Sequence, residues 1–163
     1  MTHTLTLNLD DSDVSHVATW AAVAAQVYAG DVPKTAIVRA AVEYAVATAD
    51  VLASQIGTQK MAERLSGPWP GKAGPFSGRA RMTKFRFKLS GAPLLRLLHW
   101  VGNLSGAGYA QREINLTATA LVNFGLRQLH AEDPAEVAEF FRQFLLGEAQ
   151  DGRLRGRPKA AVA

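Results

Sequence analysis

The chain has 163 residues and a mass of 17.5 kDa, which suits one ordinary domain or two small ones. With 48% hydrophobic and 20% charged residues it can fold around a core. The lack of cysteine excludes disulfide frameworks, thiol catalysis and cysteine-ligated zinc, and histidines at 3, 16, 99 and 130 only argue against a histidine-rich metal site.

No apolar run approaches a membrane span, and the first ten residues lack the basic and apolar segments of a signal peptide. The expected location is therefore the bacterial cytoplasm. Net charge is +4 with pI near 9.7, unevenly spread. Residues 1–50 carry six acidic and two basic side chains, whereas residues 83–130 carry one acidic and six basic. A basic second half suggests nucleic acid as a partner, although a solvated basic face gives the same count.

Residues 3–9 alternate, with Leu5, Leu7 and Leu9 on one face and Thr4, Thr6 and Asn8 on the other. Period two predicts a strand buried on one side. Asp10, Asp11, Ser12 and Asp13 supply a cap and first-turn acids for a helix over about residues 13–29. Gly30 and Asp31 break it, and Pro33, Lys34 and Thr35 open a second helix to about residue 53. Residues 51–65, Val51 to Leu65, are open to prolonging that helix. Residues 66–80, rich in Gly and Pro, read as a linker whose Trp69 and Phe76 are expected to clamp onto the core.

Residues 83–130 repeat residues 3–50 at a constant offset of 80. Leu9 matches Leu89, Trp20 matches Trp100, Ala40 matches Ala120 and Val42 matches Val122. The strand recurs with Phe85, Phe87 and Leu89 inward and Lys84, Arg86 and Lys88 outward. Pro93 opens the next helix, Gly102, Gly106 and Gly108 weaken its end, and Asn115 caps the last, about residues 115–130. The expected units are 1–53, a first repeat; 54–82, a helical extension and linker; 83–131, a second repeat; 132–148, a C-terminal helix; and 149–163, a disordered basic tail. The helix at 132–148 starts at Asp133, Pro134 and Glu136 and carries an aromatic stripe of Phe140, Phe141 and Phe144. That stripe either packs on the chain's own core or docks a partner or second copy.

A lone short strand leaves its backbone groups unpaired, so the two copies are expected to pair antiparallel. Their apolar faces then close over the helices. The outer face would carry Thr4, Thr6 and Asn8 beside Lys84, Arg86 and Lys88. A two-stranded ribbon fits the major groove of B-DNA, where Asn pairs with adenine, Arg with guanine, and Thr meets a polar edge or a thymine methyl. Arg86 and Asn8 have the strongest options for base reading, while Lys84 and Lys88 also suit phosphates.

The strand Thr-Leu-Thr-Leu-Asn-Leu (4–9) and the segment Pro33-Lys34-Thr35-Ala36-Ile37-Val38-Arg39-Ala40-Ala41 resemble the ribbon-helix-helix family of DNA-binding proteins. The resemblance covers roughly 95 residues, and implies a mainly α fold with a small two-stranded ribbon. Here both strands would come from one chain, as in tandem forms among plasmid-transfer and T-DNA-transfer accessory proteins. It further implies that Lys34 and Thr35, at the second helix's N-terminus, contact a DNA phosphate, where free amides favour an anion. Asn115 takes the corresponding place in the second copy, which departs from the pattern: Thr119 replaces Arg39.

The tail Arg153-Leu154-Arg155-Gly156-Arg157-Pro158-Lys159 resembles an AT-hook core. It would enter a narrow A·T minor groove, attract phosphates nonspecifically, or remain solvated. No catalytic constellation is apparent: there is no Walker loop, no nucleophile elbow, and no histidine cluster for a relaxase tyrosine. The acids at 10, 11 and 13 are explained by helix capping. The expected protein is thus no enzyme and needs no cofactor or metal. It binds double-stranded DNA as an accessory factor or transcriptional autoregulator of a plasmid or other conjugative element. Two alternatives stand beside it: an antitoxin whose residues 133–163 wrap a toxin, and a protein-interaction module that keeps the fold without binding DNA.

Overall fold

The computed structural model describes residues 2–66, 82–106 and 114–159. The linker with Trp69 and Phe76, and Gly108, lie outside the described residues. The fold is mainly helical, with six α-helices among the described residues and a small antiparallel ribbon. No helix is long and apolar enough to cross a membrane.

Strand β1 (Thr2–Asp10) leads directly into α1 (Asp11–Val27). The Asp10 carboxylate accepts the Asp13 N–H at 3.0 Å, so the helix begins two residues earlier than its sequence suggests. It ends at Val27, and Tyr28–Ala29 forms a short strand, β2. Pro33, in extended conformation, precedes α2 (Lys34–Ile56). Gly57, with φ of 96°, stops α2 and turns the chain into α3 (Thr58–Ser66). The second half runs β3 (Met82–Ser90), α4 (Gly91–Gly106), α5 (Ile114–Gln128), a 3₁₀ turn (Leu129–Ala131), α6 (Pro134–Gln150) and a short strand, β4 (Arg157–Pro158). Asp133 caps α6 through the Ala135 N–H at 2.9 Å, with Pro134 in the first helical turn.

Strands β1 and β3 pair antiparallel along their full length, Thr2 opposite Ser90 and Asp10 opposite Met82. Leu5, Leu7, Leu9, Phe85, Phe87 and Leu89 are all buried in one continuous core beneath the ribbon. Each such side chain contributes about 1.5–3 kcal/mol by leaving water. Period-two patterning therefore fixes which ribbon face meets the helices.

Helices α2 and α5 cross beneath the ribbon. Gly125 of α5 sits so close to α2 that a Cβ there would lie 2.8 Å from the Ala41 carbonyl oxygen and 2.9 Å from the Ala45 Cβ. At the 80-residue offset Gly125 corresponds to Ala45 itself, so small residues at matching sequence positions face each other at this crossing.

The offset extends beyond the reach of the sequence comparison. Helix α3 packs on α4, and α6 packs on α1. Met61 and Leu65 of α3 are buried, as are Phe141 and Leu145 of α6, again 80 residues on. The helical extension expected within 54–82 is thus α3, packed on both α2 and α4, and the C-terminal helix expected at 132–148 is α6, packed on α1. The equivalence is hidden because a glycine break precedes one helix and a 3₁₀ turn with Asp133-Pro134 precedes the other.

Candidate nucleic-acid interface

The ribbon's outer face brings the six strand residues into three cross-strand pairs: Thr4 with Lys88, Thr6 with Arg86, and Asn8 with Lys84. All are exposed except the half-buried Thr6. Directly opposed side chains in such a ladder stand about 4.5–5.5 Å apart at Cβ. Each cation therefore faces a neutral partner, and no acid stands among the six. No hydrogen bond or ion pair engages the Lys84, Arg86 or Lys88 side chains among the described residues.

The helix N-termini flank this ribbon. Asn115, in the first turn of α5, accepts the Thr6 backbone N–H on its Oδ1 at 3.1 Å. That N–H points away from β3, so Asn115 closes an otherwise open edge of β1. Asn115 lies inside the helix rather than at its cap, and its side-chain oxygen serves the ribbon. The phosphate role expected of it would have to be filled by backbone amides. One turn into α2, Arg39 donates from Nε to the Lys88 carbonyl at 3.3 Å and pairs through a terminal nitrogen with Glu148 at 2.8 Å. Its guanidinium also lies 5.8 Å from the Phe87 ring centroid. Lys34 is exposed and Thr35 half-buried at the start of α2.

Glu148, almost fully buried, also meets Arg153 at 3.6 Å. Next to this cluster, burial and the Glu148 charge push the Glu43 carboxyl up to about 7, against the opposing pull of Arg39 and Arg153.

The C-terminal segment differs from expectation. Residues 149–163 read as a disordered tail, yet residues 155–159 are bonded to the rest of the fold. The Tyr28 hydroxyl donates to the Arg155 carbonyl at 3.0 Å, β4 pairs with β2, and the Lys159 N–H reaches the Val27 carbonyl at 2.8 Å. Gly156, at φ of 108°, packs against the Ala29 carbonyl, leaving no room for a Cβ. An AT-hook needs a free extended backbone, and here the backbone of 155–159 is already bonded to the end of α1. Contacts spanning more than 120 residues leave no local sequence signal, which is why the tail reads as free.

The aromatic stripe faces inward. Phe141 is fully buried beside Trp20, with ring centroids 6.2 Å apart, while Phe140 and Phe144 are half-buried on the core. Of the stripe's three rings, Phe141 is thus wholly used in the chain's own packing, and Phe140 and Phe144 in part.

Two clusters absent from the sequence reading appear at equivalent places. His16 Nδ1 lies 2.8 Å from His130 Nε2, and the His130 ring packs on Trp20 at 4.6 Å. In the other half, Trp100 donates from Nε1 to Asp50 at 2.9 Å and Arg96 approaches the same carboxylate at 3.8 Å. Residues 16, 20 and 130 correspond to 96, 100 and 50. The repeat alignment holds this signal: the two tryptophans share one register and the partners differ.

A groove of about 360 Å³ between α2 and α6 is lined by Tyr44, Ala47, Val51, Leu129, Val137 and Phe140, among others. Tyr44 donates to Glu132 at 3.1 Å, and burial holds its phenol protonated up to about 12. Among the described residues no three histidine or acidic side chains gather as for a metal ion.

A scan against protein-family models finds no match to this chain, and neither curated proteins nor solved structures show a detectable similarity.

Proposed function

We propose that this is a double-stranded DNA-binding protein that inserts the β1–β3 ribbon into the major groove. Its architecture is then a tandem, single-chain ribbon-helix-helix, extended by α3 and α6. The observation that carries the reading is the ribbon's outer face. Six regularly spaced polar side chains, three of them cationic and none acidic, stand on a ladder whose opposite face is buried. Were solvation its only task, acidic residues opposite the cations would stabilise the ladder. Their absence leaves the charge for an external anion.

Two different strands imply a non-palindromic subsite. Arg86 is assigned to guanine, Asn8 to adenine, and Lys84 and Lys88 to phosphates or guanine edges. The α2 N-terminus, with Lys34 and Thr35, is assigned to a phosphate at the groove's rim. The biological setting that fits is an accessory factor or autoregulator of a plasmid or mobile element, acting in the cytoplasm, a role resting on analogy of fold.

The test is fluorescence anisotropy on a pool of random duplexes across a salt series, followed by sequencing of the bound fraction. The expected result is a slope of log affinity against log salt reflecting roughly 4–8 phosphate contacts, with an asymmetric enriched motif. Arg86→Ala should relax that motif at one position, at a cost of about 1–3 kcal/mol. Absence of binding at low salt would overturn the reading.

A further inference from the structure

We propose that the C-terminal segment is a fixed phosphate clamp, extending the DNA contact past one end of the ribbon through Arg155 and Arg157. This rests on the ribbon reading above, and adds a surface which that reading does not require.

The segment is held at several points. Tyr28 bonds the Arg155 carbonyl, Ala29 opposes Arg157, and Arg142 Nε donates to the Lys159 carbonyl at 3.1 Å. Lys159 Nζ reaches the Ala25 carbonyl at 3.3 Å. Gly30 and Gly156 meet with positive φ on both sides, their backbones too close for any side chain between them. The cations are therefore presented from a fixed backbone.

Position and charge favour DNA. Gly30 lies four residues before Lys34, the residue that opens α2. From the other side, Arg153 is joined through Glu148 to Arg39, which bonds the Lys88 carbonyl of the ribbon. A continuous chain of contacts thus links the Lys88 end of the ribbon to the tail. Arg153 is occupied by Glu148 and Asp151. Arg155, Arg157 and Lys34 are exposed, and none of the three side chains has an ionic partner among the described residues. Guanidinium groups on an immobilised strand suit phosphate oxygens, and the ordering entropy that a free tail would lose on binding is already spent.

Three variants of the full chain test this: Arg155→Ala with Arg157→Ala, Gly156→Ala, and Lys84→Ala with Arg86→Ala and Lys88→Ala. Each is titrated by anisotropy against the random duplex pool, and footprinted with hydroxyl radicals on the duplex enriched by the unmodified protein. The arginine pair should weaken binding about tenfold, lower the salt slope by about two and erase protection beyond one end of the motif, leaving the motif itself intact. Gly156→Ala keeps both charges but frees the tail. It should lose the same flanking protection while retaining most of the salt slope. Retention of that protection by Gly156→Ala would overturn a fixed clamp, since a loose cation would then suffice. An A·T preference at the flank that vanishes with the arginines would overturn the phosphate assignment in favour of minor-groove insertion. An unchanged footprint and slope in the arginine pair would remove the tail from the interface altogether. If instead the ribbon variant binds as tightly as the unmodified protein, the ribbon reading falls, whatever the tail does.

Discussion

His16 and His130, 114 residues apart in sequence, share a hydrogen bond between ring nitrogens at 2.8 Å, where the other half of the chain places Arg96 against Asp50. Both pairs tie the first helix of one half to the end of the second helix of the other, each beside a buried tryptophan. One site is an ordinary ion pair. The other must keep at least one imidazole neutral, because two imidazolium rings offer donors only.

Burial first, then His130 and Arg127, lower the His16 pKa from 6.5, against a weaker upward pull from Asp13 and Asp10. A lowered folded value means the unfolded chain takes the proton more readily. The stabilisation is thus complete above 6.5 and is lost as pH falls through the folded value. Urea midpoints of the unmodified protein and of a graft of the other pair, His16→Arg with His130→Asp, isolate this contribution, because Glu43 is common to both. Between pH 7.5 and 5 the unmodified protein should lose midpoint relative to the graft as pH falls. A difference between the two that stays constant across that range would mean the histidine pair carries no acid sensitivity.

Glu43 acts in the opposite sense. Its carboxyl is raised from 4.5 to about 7, so the folded chain holds the proton more tightly than the unfolded chain. Stability should be greatest below 4.5 as far as this group is concerned, and decline as pH rises toward 7. Glu43→Gln, which mimics the protonated form, should raise the urea midpoint at pH 8 and leave it nearly unchanged at pH 4.5. An equal shift at both values would point to packing rather than to charge.

Legibility from sequence follows the range of each interaction. Leu5, Leu7 and Leu9 against Phe85, Phe87 and Leu89 are readable because period two is a local pattern, and their pairing follows from the need to bond two lone strands. The equivalence of Met61 with Phe141 and of Leu65 with Leu145 is not, because Leu65 with Leu145 is the single identity between residues 58–66 and 138–146, and Met61 and Phe141 share only burial. The His16–His130 pair and the tail pinned by Tyr28 depend on contacts between chain ends, which no local pattern encodes. Of the outer ribbon residues the sequence yields the face, while the register that sets Arg86 against Thr6 comes from the paired strands.

Asn115 offers a separate handle on the ribbon edge. Its Oδ1 is the acceptor for the Thr6 N–H in a half-buried setting. Asn115→Ala should cost about 0.5–1.5 kcal/mol in chemical denaturation. Hydrogen exchange at the Thr6 amide should accelerate more than at its neighbours in the ladder, whose bonds to β3 remain. Asn115→Asp keeps an acceptor and should restore the protection. If it also weakens DNA binding, the added negative charge would place a phosphate near the α5 N-terminus as well as at α2.

Gly125 tests the crossing of α2 and α5. An alanine there gains helix propensity of about 1 kcal/mol. Its Cβ, however, would meet the Ala41 carbonyl oxygen at 2.8 Å and the Ala45 Cβ at 2.9 Å, closer than such atoms sit without movement. Both obstacles are on a helix rather than at the far end of a flexible side chain, so the helices must separate. Overpacking of this kind costs about 1–3 kcal/mol. Gly125→Ala is therefore expected to be destabilising by thermal melting. Ala45→Gly in the same chain removes one obstacle while leaving the carbonyl, and should recover part of the loss despite its own poor helix propensity. Full additivity of the two single changes would mean that the residues do not touch across the crossing, contrary to the packing described.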